Sequence, residues 1–102
     1  MFQDLTDALE EAEHAMFEEI NFSNGVLTID MADGRSYVLN RQTPNLQVWL
    51  SSPISGPQRF EYELDSELWL QIRSKDELIE LLNSEFNEHF VQEGQPQIDI
   101  KL

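Results

Sequence analysis

Two sets of side chains in this sequence have the types and spacing for chemistry. The first is carboxylate. Asp4, Asp7, Glu10, Glu11, Glu13, Glu18, Glu19, Asp30 and Asp33 all precede Arg35, the first basic residue. Such a density of oxygen ligands suits hard cations. The same charge suits docking to a basic partner, or plain solubility, and spacing leaves these three uses open. A tight metal centre is not expected, because helical carboxylates without converging imidazoles give weak, exposed, multi-ion binding. His14 lies beside Glu10, Glu11 and Glu13 and can contribute to such binding. His89 reads as a solvent-facing helical residue.

The second set is nearly uncharged. Around residue 48 the polarity alternates with period two, the signature of a half-buried strand. Val48 and Leu50 form one side of Gln47–Ser52, which places Trp49 on the other side with Gln47 and Ser51. In the preceding strand Tyr37 and Leu39 oppose Val38, Asn40 and Gln42; in the following one Arg59 and Glu61 oppose Phe60 and Tyr62. Aligned in a sheet, Asn40, Gln42, Gln47, Trp49, Ser51 and Arg59 share one face. A Trp among amides and an Arg has the composition of a binding hot spot; it is equally the composition of a Trp packing over its cross-strand neighbours. Catalytic patterns are missing. There is no G-x-S-x-G and no Gly-rich phosphate loop, and the absence of cysteine removes thiol nucleophiles, thiolate metal sites and disulfides together.

The elements that must position these residues follow from hydrophobic periodicity. Phe2, Leu5, Leu9, Ala12 and Met16 recur at helical spacing and predict an amphipathic helix over 2–16. Alternation then predicts strands from about Glu18 to Ser23, at Val26–Met31, Ser36–Gln42, Gln47–Ser52, Gln58–Glu63 and Leu68–Ile72. Asn24-Gly25 and Asp33-Gly34 supply tight turns. Ser74 with Glu77 reads as a capping box that opens a second helix, ended by Gly94 and Pro96. Its stripe is Leu78, Leu81, Leu82, Phe86 and Phe90. Ile98, Ile100 and Leu102 form an extra strand or an extended segment over the helices. The expected architecture is an α+β two-layer sandwich in one domain spanning 1–102. Its two terminal helices pack on one face of a five- to six-stranded antiparallel sheet.

Composition bounds the partners. The 102 residues hold 20 acids against 6 Lys and Arg, a net charge of −14. A protein so charged repels nucleic-acid backbones and anionic membranes. No apolar run approaches the roughly 20 residues that span a bilayer. The acidic N-terminus is unlike a signal or transit peptide.

From Asn40 to Arg59 the chain reads NRQTPNLQVWLSSPISGPQR, preceded by GVLTI and followed by Trp69 and LIELLNSEF. This resembles the frataxin family, and the mitochondrial type more than the bacterial one. Leu46 and Gln58 stand where the mitochondrial pattern commonly carries Lys, and the segment between first helix and first strand is short. The resemblance implies the same sandwich fold and a role in iron–sulfur cluster assembly. It implies binding to the complex of cysteine desulfurase and scaffold protein, where the chain acts as an allosteric activator of sulfur transfer. Asn40, Arg41, Gln42, Asn45, Gln47, Trp49 and Arg59 match the family's partner-binding surface. Asp7, Glu10, Glu11, Glu13, His14, Glu18, Glu19, Asp30 and Asp33 fall where the family carries an acidic ridge that binds Fe2+ and Fe3+ weakly; no tightly held cofactor is implied. The alternative is an iron chaperone or ferroxidase that oxidises and stores or donates iron. A monomer is expected, in the mitochondrial matrix or a mitochondrion-derived organelle, or else in the bacterial cytoplasm.

Overall fold

The computed structural model describes residues 2–42 and 46–102. The elements run α1 (Phe2–Ala12), β1 (Phe17–Ser23), β2 (Val26–Met31), β3 (Ser36–Gln42), β4 (Gln47–Ser52), β5 (Gly56–Glu63), β6 (Leu68–Gln71) and α2 (Leu78–His89). The six strands form one antiparallel sheet in sequence order, β1 to β6. This is the α+β sandwich expected from the pattern.

Alternation decides which face the helices cover. Leu27, Ile29, Met31, Tyr37, Leu39, Val48, Leu50 and Phe60 point to one side and are buried there. Phe2, Leu5 and Leu9 of α1 and Leu78, Leu82 and Phe86 of α2 complete this core. Burying a side chain of this size stabilises the fold by about 1.5–3 kcal/mol. Phe86 meets Tyr37 and Phe17 edge-on, at centroid distances of 5.2 and 5.3 Å. Phe2 meets Phe22 in the same way at 5.8 Å.

Both helices are shorter than their apolar periodicity. α1 stops at Ala12, and Glu13 turns left-handed with φ 47°. Its last turn carries acids and no base, and the negative end of the helix dipole opposes them. Met16 is still buried, from a turn after the helix. α2 begins at Leu78, four residues after Ser74. Its cap is Glu77, whose carboxylate accepts from the amides of Ile79 and Glu80 at 2.7 and 3.1 Å. Ser74 instead bonds Asp76. The helix ends at His89, before Gly94, because Phe90 leaves helical geometry at φ −124° and buries its ring against Tyr37.

The tail is extended and forms no strand. Asn87 takes Ile98 by both backbone groups, through Nδ2 to the carbonyl at 2.9 Å and from the amide to Oδ1 at 2.8 Å. Asn83 holds Ile100 in the same two-bond manner at 2.9 and 2.8 Å. Side-chain amides thus do the work of a neighbouring strand, and Ile98 and Ile100 stay buried while Leu102 is exposed.

One carboxylate lies in the core. Glu85 accepts from the hydroxyls of Tyr37 (2.8 Å), Ser52 (2.6 Å) and Ser55 (2.5 Å). Ser52 Oγ in turn accepts from the amides of Ile54 and Ser55. Helix α2, β3 and the turn between β4 and β5 are joined at this point.

Candidate functional site

The helix-free face of the sheet is assembled by strand register. Asn40 of β3, Trp49 of β4 and Arg59 of β5 are direct cross-strand partners in one row. Gln42, Gln47 and Glu61 form the next row, and Val38, Ser51 and Pro57 the row on the other side. Residues directly opposite in adjacent strands share a face at a Cβ spacing of about 5 Å. The rows therefore make one continuous surface, as the alternation of polarity predicts.

Trp49 is the centre of that surface. It is 37 % exposed. The Arg59 guanidinium lies over its ring, 4.8 Å from the centroid. Its indole N–H donates to Gln47 Oε1 at 2.8 Å, and Gln47 Nε2 reaches Glu61 at 3.4 Å. The ring is thus held from above and from its edge, which reduces the side-chain entropy lost on binding a partner.

Arg41 does not join this group. It pairs with Val48, a core residue, so alternation turns it toward the helical side, where its guanidinium lies 5.8 Å from the Phe2 ring. Asn45 lies outside the described residues. Sequence reasoning missed two members of the surface beyond β5. Ile72 donates its amide to Arg59 O at 3.0 Å, and it lines a shallow depression with Trp49, Arg59 and Arg73. These residues follow the short strand β6, where no alternation marks a face.

The carboxylates form a separate region. Asp7, Glu10, Glu11 and Glu13 are exposed on α1 and just after it, and Glu18 and Glu19 are exposed on β1. Glu19 is the direct cross-strand partner of Asp30, a like-charged pairing that costs stability. Asp30 also accepts from Ser36 Oγ at 2.7 Å. Asp33 is paired with Arg35 at 2.7 Å, and the guanidinium hydrogen bond holds its carboxyl below the ordinary range. His14 bonds through both ring nitrogens, accepting from the Met16 amide at Nδ1 (3.1 Å) and reaching Pro96 O from Nε2 (2.8 Å). Among the described residues no three acidic or imidazole groups converge as a metal site. What the region offers a cation is an extended field of single carboxylates.

Comparison with known proteins agrees with both the fold and the motif. Residues 1–92 match the family model of the frataxin-like domain. The mitochondrial frataxin homologue of Schizosaccharomyces pombe is 38 % identical over 89 residues, covering 87 % of this chain and 54 % of that protein. The iron-sulfur cluster assembly protein CyaY of Thioalkalivibrio sulfidiphilus is 40 % identical over 65 residues, 64 % of this chain and 60 % of that one. A crystal structure of trimeric frataxin from Saccharomyces cerevisiae, complexed with ferrous iron, superposes with a TM-score of 0.77 at 34 % identity, covering 89 % of this chain and 82 % of the other. The chain spans about half the length of the curated mitochondrial relatives it matches.

Proposed function

This chain belongs to the frataxin-like family, and from that premise we propose that it is an iron–sulfur cluster assembly factor that binds a desulfurase–scaffold complex and activates sulfur transfer. The observation that carries the reading is the Asn40–Trp49–Arg59 row: an immobilised Trp, flanked by amides and one cation, on a sheet face that the helices leave open. The 102 residues hold no cysteine, so this domain itself supplies no thiol to the sulfur-transfer step. The chain acts by position. Its Trp49 face docks on the scaffold beside the assembly site and reorients a mobile thiol or metal ligand there. Its acidic helix meets basic residues of the desulfurase, raising the association rate and fixing orientation. The acting compartment is mitochondrial, or the bacterial cytoplasm, following the relatives' names.

Sulfide-release and persulfide-transfer kinetics with purified desulfurase and scaffold test this reading. Adding the chain should accelerate transfer. Trp49→Ala should weaken binding by about 2 kcal/mol with the fold intact. Stimulation by the variant at wild-type concentrations refutes the site.

The ferrous complex of the yeast structure favours iron as a cargo, for which the acidic region of this chain supplies the oxygen ligands. In an iron-oxidising protein, neutralising Glu10, Glu11 and Glu13 abolishes oxidation by the isolated chain. In an activator, the same change only raises the concentration needed to stimulate the desulfurase.

A further inference from the structure

The chain has only 6 basic side chains against 20 acids. Arg35 is paired with Asp33, and Lys101 with Asp99 at 3.4 Å. The other four, Arg41, Lys75, Arg59 and Arg73, make no ion pair among the described residues, and the last two share a surface. Both line the same depression, together with Asn40, Trp49, Ser51 and Ile72, and no Asp or Glu lines it. On a protein of net charge −14, this is a local reversal of sign.

The backbone that carries Arg73 is held in place. Gln71 Oε1 accepts from the backbone amides of Arg73 (2.7 Å) and Ser74 (2.6 Å). Ile72 N bonds Arg59 O at 3.0 Å, which ties the turn to the strand that carries Arg59. Two guanidinium groups are thereby presented from adjacent, mutually hydrogen-bonded segments. A guanidinium fork matches a carboxylate with two parallel hydrogen bonds.

We propose that Arg73 is a second cationic contact of this face, beside Arg59, and that the depression takes an acidic segment of the partner protein, carrying one or two Asp or Glu side chains. This rests on the partner-binding reading above and adds Arg73 and the chemistry of its ligand. A free metabolite would be left partly in solvent, since the hollow is partly open, whereas small-molecule sites bury most of the ligand. A nucleic acid is disfavoured by the surrounding field, which repels an extended polyanion. A short acidic loop meets the two arginines and leaves its remainder over amides and Trp49.

The test titrates purified scaffold protein onto the full chain at low and high salt, with Trp49→Ala, Arg73→Glu, Arg73→Gln and Arg73→Lys compared with the wild type. Arg73→Glu should weaken binding on the order of tenfold. Arg73→Gln should reduce the dependence of affinity on salt, and Arg73→Lys should recover part of the loss. Arg73 is exposed, so all three variants should melt with the wild type. If Arg73→Glu leaves both affinity and salt dependence unchanged while Trp49→Ala abolishes binding, the proposal is wrong and the Trp49 surface stands. If neither variant alters binding, the partner-binding reading itself is wrong. Displacement of the scaffold by dilute citrate or tripolyphosphate, lost in Arg73→Gln, would replace the acidic segment with a small anion and also overturn the proposal.

Discussion

The Tyr37 hydroxyl donates to Glu85 Oε1 across 2.8 Å, joining the middle of the sheet to helix α2 inside the core. Around that bond, a buried carboxylate is satisfied by three hydroxyls and no cation. Such an arrangement fixes geometry more than it adds stability, since each hydroxyl also gives up water. It holds the Ser52–Ser55 turn against α2, and this turn leads into β5, whose Arg59 is the cross-strand partner of Trp49. Desolvation by burial first, and the bond to Glu85 second, push the Tyr37 phenol far above the ordinary tyrosine value of 10.0.

Replacing Tyr37 by Phe removes one donor and leaves a buried acceptor short of a partner. We expect a loss of about 1–3 kcal/mol in unfolding free energy, measured by urea denaturation at pH 7. The pH dependence has a definite sign. A phenol whose folded pKa is raised contributes stability that is present below the unfolded value of 10.0 and is lost as pH rises above it. The wild type should therefore lose stability on the alkaline side more steeply than Tyr37→Phe.

Removing residues 98–102 takes away two buried isoleucines and the backbone partners of Asn83 and Asn87. The melting temperature should fall by well over 10 °C, since each large buried side chain is worth about 1.5–3 kcal/mol and 1 kcal/mol shifts a domain of this size by about 4–8 °C. Asn83→Ala and Asn87→Ala should each reproduce part of that fall. A melting point unmoved by the deletion would contradict the tail's docked position.

The acids of α1 and β1 face solvent with no Lys or Arg before Arg35, and Glu19 of β1 faces Asp30 of β2. Screening relieves such repulsion within a Debye length of about 8 Å at 0.15 M salt. Moderate salt, and divalent cations at lower concentration, should raise the melting temperature. Indifference to both would show that the carboxylates do not interact.

Arg59→Gln removes the guanidinium from the Trp49 face. A cation over an exposed aromatic ring contributes about 0.5–1 kcal/mol, so scaffold affinity should fall several-fold. Tryptophan emission should change in the free protein, because the ring loses its cover. Unchanged emission would mean that Arg59 does not rest on Trp49 in solution.

Alternation made the sheet and its open face legible, because a period of two assigns every strand residue to a side. Val48 and Leu50 fell inside and Trp49 outside for that reason. Arg41 shows the limit of a motif: its place in the family signature groups it with Asn40 and Gln42, while alternation, followed here by the structure, turns it toward Phe2. Helix ends were less legible. Ser74 is the N-cap type and Glu77 only its capping-box partner, yet the chain's path after β6 makes Glu77 the cap. Glu85, Asn83 and Asn87 could not be read as structural, since their partners at residues 37, 52, 55, 98 and 100 are far away in sequence. A polar residue beside the apolar stripe of α2 gives no sign of what it will meet.

Because the strands follow one another in sequence order, the Asn40–Trp49–Arg59 row comes from one stretch of twenty residues, and the nine leading acids come from an earlier stretch that ends at Asp33. The two surfaces are therefore separable as genetic cassettes. A chimera that exchanges residues 1–33 with those of a less acidic relative rewrites the charge field and keeps Asn40, Trp49 and Arg59, while substitutions at those three positions rewrite the row and keep the nine acids. Attraction and recognition can be tuned as independent traits within one small sheet.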